Sequence, residues 1–214
     1  MRGMKPGHLL PLMMLAATTL PALADDVLMP ADQDVAGVSQ AQWSRQWWQW
    51  AMSFAGDASP VADRTGALCG SGQQGPVWFL AGAYGSQRVV RECSVPADKY
   101  LFFPLIDYVD RSQLGHPLSC SISMRNVREL TDNATNLVLR IDGVLQPGLE
   151  AHRLDSLGCF NLGARGEPPK SIFPVAANGY YVMLRPLTPG THELEFGGWL
   201  PDMAQAISYT LHVR

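Results

Sequence analysis

The segment DYVDRSQLGH brings Asp107, Asp110 and His116 within ten residues, directly behind the apolar run YLFFPLI. Two carboxylates and an imidazole could ligate a hard or borderline metal ion, or serve as base and orienting partner in hydrolysis. The end of a buried strand and the loop behind it are also where functional groups concentrate. Against this, the spacing fits no metal template, and aspartates in such a segment are equally suited to capping turns. His116 stands just before Pro117, in what reads as a solvated loop. No metal or cofactor is expected from these residues.

The other chemically capable residues have structural explanations. His192 alternates with Leu194 and Phe196, so it falls on the inward face of a strand near its edge, where donation to a backbone carbonyl accounts for it. His152, in EAHRLDS, carries no more specific signal, and Ser44 and the other serines lack the G-x-S-x-G context of a nucleophile elbow. GSGQQG (70–75) is glycine-rich but has neither the lysine nor the following helix of a phosphate loop. Asn133 starts an N-x-T sequon, which a bacterial-type leader makes incidental.

A second kind of chemistry is aromatic. WSRQWWQW (43–50) holds four of the six tryptophans. Ser39 as N-cap and Gln42 three residues on form a capping box, so a helix is expected from there to about Phe54, with Gly56 as its stop. At 100° per residue Trp43, Trp47, Trp50, Ala51 and Phe54 share one arc, and Arg45, Gln46, Gln49 and Ser53 the opposite one. Trp48 falls on the flank. It is either a further packing contact or part of an exposed platform for a sugar or a protein, a role that Trp78 and Trp199 could share.

The elements that would position these residues are mostly strands. PVWFLAGA (76–83), RVVRECSV (88–95) and YLFFPLIDY (100–108) are separated by turn signals, with 109–117 read as a loop. A weak helical pattern runs through Met124, Val127 and Leu130. NLVLRIDGVLQ alternates about an Asp142-Gly143 turn, and strands at 178–187, 191–198 and 207–213 close the chain. The expected fold is mainly β: an antiparallel β-sandwich, or partly open barrel, with one N-terminal amphipathic helix and a short middle helix.

Residues 1–24 read as an export leader: Arg2 and Lys5, a short apolar run, and a small-x-small site at Ala22–Ala24. The run is too short and too proline-broken to span a bilayer, which takes about 20 apolar residues, and no later segment qualifies. Residues 25–214 are expected to form a single disulfide-braced domain, periplasmic or secreted. The chain has a net charge of −3, and its leader holds basic residues and no acids, so the remainder of the chain is more acidic still. That argues against nucleic acid as a partner. All four cysteines lie beyond the leader, with no zinc-type spacing. Of three possible pairings, Cys69–Cys93 with Cys120–Cys159 is expected, because the first pair flanks a strand and its return across a loop of about 25 residues.

WWQWAMS (47–53), TGALCGSGQQGPVWFLAG (65–82), RECSVPADKYLFFPLI (91–106) and GYYVMLRPLTPGTHELEFGG (179–198) together resemble a family of uncharacterised bacterial exported proteins. The resemblance implies a secreted or periplasmic single domain, with Cys69 and Cys93 as that family's paired cysteines. Because the sequence invests in packing and disulfide bracing while no nucleophile, acid pair or metal cluster stands out, the function expected is an exported, non-catalytic binding or envelope-associated domain with a glycan or protein ligand. The alternative is a secreted metal-assisted hydrolase using Asp107, Asp110 and His116.

Overall fold

The computed structural model describes residues 27–111, 118–165 and 172–214. The expected leader (1–24) and His116 lie outside them. In chain order the elements are α1 (Gln40–Ala51), β1 (Val77–Phe79), β2 (Val89–Val95), β3 (Tyr100–Arg111), α2 (Cys120–Thr131), β4 (Thr135–Ile141), β5 (Val144–Leu145), β6 (Arg153–Asp155), β7 (Val175–Leu184), β8 (Gly190–Leu200) and β9 (Met203–Val213).

Two sheets pack face to face. The first has the order β1-β3-β7-β6 and the second β2-β9-β8-β4-β5. Between them lies a core that includes Phe103, Leu105, Ile106, Leu139, Val182, Phe196, Tyr209 and Leu211. A second core, including Trp43, Trp47, Trp48, Trp50, Phe79, Phe102, Tyr181 and Met183, fills the space between the first sheet and α1. The β-sandwich with an early and a middle helix is thus present. Its sheets are mixed rather than purely antiparallel, since β1 runs parallel to β3 and β2 parallel to β9. Both β1 and β2 are edge strands; the chain passes from β1 to β3 by way of β2 in the opposite sheet, and from β2 to β9 through most of the remaining elements, so each parallel pair has the long connection it requires.

Local signals account for the elements that came out as expected. At the start of α1, Ser39 Oγ accepts from the Gln42 N–H at 3.3 Å, while Gln42 Oε1 accepts from the Ser39 N–H at 3.1 Å. The helix ends at Ala51, before Phe54, with Met52 as its C-cap. Asp142 (φ 50°) and Gly143 (φ 80°) make the two left-handed residues of the β4–β5 hairpin. The disulfides are Cys69–Cys93 and Cys120–Cys159, and the described residues contain no free cysteine. The first ties the irregular segment before β1 to β2. The second ties the start of α2 to the segment after β6. No helix among the described residues is long and apolar enough to cross a membrane.

β3 departs from the expected pattern in a way that shapes everything downstream. It continues through Arg111, so residues 109–111 are strand rather than loop. Its register against β7 shifts between Pro104 and Ile106. Pro104 has no N–H to give the ladder, and a bulge is where a central strand tolerates it. Gln205, from β9 of the opposite sheet, donates its side-chain amide to the carbonyls of Pro104 (2.9 Å) and Leu105 (3.0 Å), so both are satisfied. Before the bulge the odd-numbered residues Leu101, Phe103 and Leu105 face the second sheet; after it Ile106 does, with Tyr108 packed partly against the same core. Strict alternation would have aimed Asp107 into the sandwich interior. The bulge aims it at α1 instead.

Candidate functional site

Asp107 forms part of the lining of a cavity of about 380 Å³ between α1 and the C-terminal half of β3. From α1 come Trp47, Trp48, Ala51 and Met52; from the irregular segments Val61, Gly82, Ala83, Tyr84 and Gly85; and from the hairpin of the second sheet Met203 and Gln205. β3 supplies Asp107, Tyr108, Val109 and Arg111. The volume is in the range of small-molecule sites, and so is the chemistry, with mostly apolar and aromatic walls and a few polar groups. Tyr84 and Arg111 are exposed and stand at its mouth, whereas Asp107 is 7% exposed.

The floor is a hydrogen-bonded chain. The Trp48 indole N–H donates to the Tyr181 hydroxyl at 2.9 Å, and that hydroxyl donates to Asp107 Oδ2 at 2.9 Å. Tyr181 is wholly buried, with its ring stacked on Phe102 at 5.7 Å between centroids. Its hydroxyl is therefore held in place by packing before it meets the carboxylate. Among the described residues nothing else hydrogen-bonds the Asp107 side chain, and no ion pair compensates it. Burial raises its pKa from 3.8 to about 7, and the Tyr181 hydrogen bond only partly opposes that. The neighbouring phenol responds in kind: burial, and then the charge of Asp107, push Tyr181 well above the ordinary tyrosine value.

Gly179 lies directly across from Asp107 in the β3–β7 pair. A Cβ there would sit 2.5 Å from both Cα and Cβ of Asp107, so only glycine permits the two strands to approach at this point. The wall opposite is held by a buried arginine. Arg91, 2% exposed on the inward face of β2, donates to the carbonyls of Val61 (3.2 Å), Asp63 (2.8 Å), Ala81 (2.7 Å) and Gly82 (2.9 Å) and to the Tyr209 hydroxyl (3.1 Å). The guanidinium fork thereby ties two irregular segments to β2, and both of them line the cavity. Ala83 N–H adds a bond to Gln205 Oε1 at 3.1 Å.

Of the expected Asp107, Asp110 and His116, His116 lies outside the described residues and the two acids are not brought together. Three residues apart on one strand, Asp107 and Asp110 point to opposite faces of β3. Asp110 accepts from Asn126 of α2 at 2.9 Å and lines a separate depression with Tyr108, Asn126 and Glu129. No group of three or more His, Cys, Asp or Glu among the described residues could hold a metal ion.

The three candidate tryptophans are equally separated. Trp48 is 9% exposed, not a surface platform, because α1 is covered on more sides than its main arc: its flank meets β7, and Arg45 and Gln49 reach across to the carbonyls of Ser156, Leu157 and Asn161. Trp78 is half-buried against the core between the sheets, with its indole N–H unpartnered. Trp199 is exposed and lines a shallow groove on the outer face of the second sheet with Arg88, Asn136, Glu195 and Gly197. Only Trp48 shares a site with a buried acid, since Glu195 beside Trp199 is only half-buried.

Tyr181, Gly179, Arg91 and Gln205 were not singled out from sequence. Arg91 had a readable signal, since it occupies an inward position in the alternation of Val89, Cys93 and Val95. The histidines behave structurally. His192 Nε2 lies 2.9 Å from the Thr188 carbonyl, as expected, and Nδ1 lies 2.7 Å from Asp142. Burial alone would lower its pKa, but these partners outweigh burial and raise it. His152 is buried and its pKa is lowered by desolvation. The chain matches no family model, no curated protein and no solved structure.

Proposed function

We propose that the protein is an exported binding domain whose ligand is a small molecule held in the cavity between α1 and β3. One observation carries the reading: the carboxyl of Asp107 is buried at the floor of an aromatic cavity, positioned by Tyr181 and Trp48, and has no charged partner among the described residues. An uncompensated buried acid costs stability, and a bound ligand that hydrogen-bonds it recovers that cost. Two disulfides and the leader-type N-terminus support a periplasmic or secreted location, as does the resemblance to bacterial exported proteins. A glycan would instead stack on the exposed Trp199, whose groove on the second sheet offers the half-buried Glu195 but no fully buried acid.

Hydrolysis by Asp107, Asp110 and His116 has less support, because the two acids occupy opposite faces of β3. Asp107 alone supplies an acid or base but no nucleophile or second acid beside it.

The test is a fragment screen by thermal shift on the full exported protein, repeated on Ala83→Phe, which fills the cavity from its wall. Fragments that raise the melting temperature of the parent and not of the filled variant support the reading. Stabilising fragments that act equally on both, or that lose their effect only in Trp199→Ala, would move the site elsewhere.

A further inference from the structure

Asp107 and Arg111 lie four residues apart on β3 and line the same cavity, one at its floor and the other at its mouth. At about 3.3 Å per strand residue their Cα atoms are about 13 Å apart. No ion pair joins them, and among the described residues they are the only groups lining the cavity that are charged in ordinary solution; Tyr84 and Tyr108 are the remaining titratable ones. Between the two charges the walls are apolar: Trp48, Met52, Val61, Val109 and Met203.

We infer that the ligand carries an ammonium group at one end and a carboxylate at the other, separated by an apolar body, with the ammonium on Asp107 and the carboxylate on Arg111. This rests on the reading of the cavity as the binding site. Tyr181 occupies Oδ2 of Asp107 and leaves Oδ1 for a second donor. The indoles of Trp47 and Trp48, which line the cavity with the Asp107 carboxylate, suit an ammonium, through the ring quadrupole as well as the charge. The planar fork of an arginine suits a carboxylate, which it can bind with two parallel hydrogen bonds. The arginine's length reduces the gap between the two ends to the span of a short aliphatic chain, which the apolar middle would desolvate. A neutral ligand leaves the buried Asp107 charge unpaired and Arg111 at the mouth without a partner, and a singly charged one satisfies only one of the two.

Isothermal titration of the full exported protein at about pH 8, where Asp107 is ionised, tests this with ε-aminocaproate, hexylamine, hexanoate and hexanol. The inference expects ε-aminocaproate to bind at least about ten-fold tighter than any of the other three. Asp107→Asn should abolish its advantage over hexanoate, and Arg111→Gln, a change at an exposed position that leaves the fold intact, its advantage over hexylamine. Hexanol or either singly charged probe binding as tightly as ε-aminocaproate would overturn the inference while leaving the cavity a ligand site. Absence of ε-aminocaproate binding overturns it as well, and the fragment screen then judges the cavity separately.

Discussion

Asp107→Asn should alter the pH dependence of stability in a direction fixed by burial. The folded-state pKa of about 7 lies above the unfolded value of 3.8, so between those values the folded protein holds a proton that the unfolded chain has lost. Stability from this group is therefore complete below about pH 4, falls as the pH rises toward 7, and levels off above it. The gap, at about 1.4 kcal/mol per pH unit, gives roughly 4 kcal/mol between the two ends. Asparagine keeps the shape and an oxygen for the Tyr181 hydroxyl but never ionises. Urea unfolding of both proteins at about pH 5 and about pH 8 isolates the effect, because every other titrating group is common to the pair. The variant should gain on the parent as the pH rises, and at the higher pH its midpoint should exceed the parent's by on the order of 2 M urea. A constant difference across pH, or a parent more stable than the variant at about pH 8, would refute the reasoning that Asp107 is an uncompensated buried acid.

Mass analysis of the protein without reductant should find no free thiol, and opening either disulfide should cost about 3–4 kcal/mol from loop closure over 24 and 39 residues; four alkylatable cysteines would contradict this. Trp47→Ala, Trp48→Ala and Trp50→Ala should each cost about 3–5 kcal/mol in denaturant unfolding, since all three are buried. A much smaller loss at Trp48 would mean that its flank of the helix is open to solvent. Gly179→Ala should destabilise by about 1–3 kcal/mol through overpacking against Asp107, and an unchanged melting curve would show that β3 and β7 can part at that point without cost.

What could be read from the sequence was local. The capping box at Ser39 and Gln42, the Asp142-Gly143 hairpin and the alternation of Ile207, Tyr209, Leu211 and Val213 are each complete within a few residues, and each formed as expected. The direction of Asp107 was not legible in the same way. It depends on a bulge at Pro104, and the bulge depends on a glutamine a hundred residues later that satisfies its carbonyls. Pro104 inside an apolar strand was the available sign of an interruption, but it could not reveal which face the following residues would take. Trp48 was ambiguous for a related reason. A helical wheel describes one buried arc, whereas α1 is enclosed by the sheet below and by the segment around Ser156 to Asn161 at its side. The short strand β6 escaped notice because RLD has no alternation to detect; it exists by pairing with β7.

The binding site proposed is the Asp107 cavity and not an exposed aromatic surface. The indole N–H resonances of the six tryptophans report on it directly, because Trp47 and Trp48 line the cavity while Trp199 stands on the far face of the second sheet. In a titration with the fragment that gives the largest thermal shift, the Trp48 resonance should move to saturation, since its N–H donates to the hydroxyl that holds Asp107, and Trp199 should stay in place. A saturating shift at Trp199 with Trp47 and Trp48 unmoved would put the ligand on the outer face of the second sheet and rule out the Asp107 cavity.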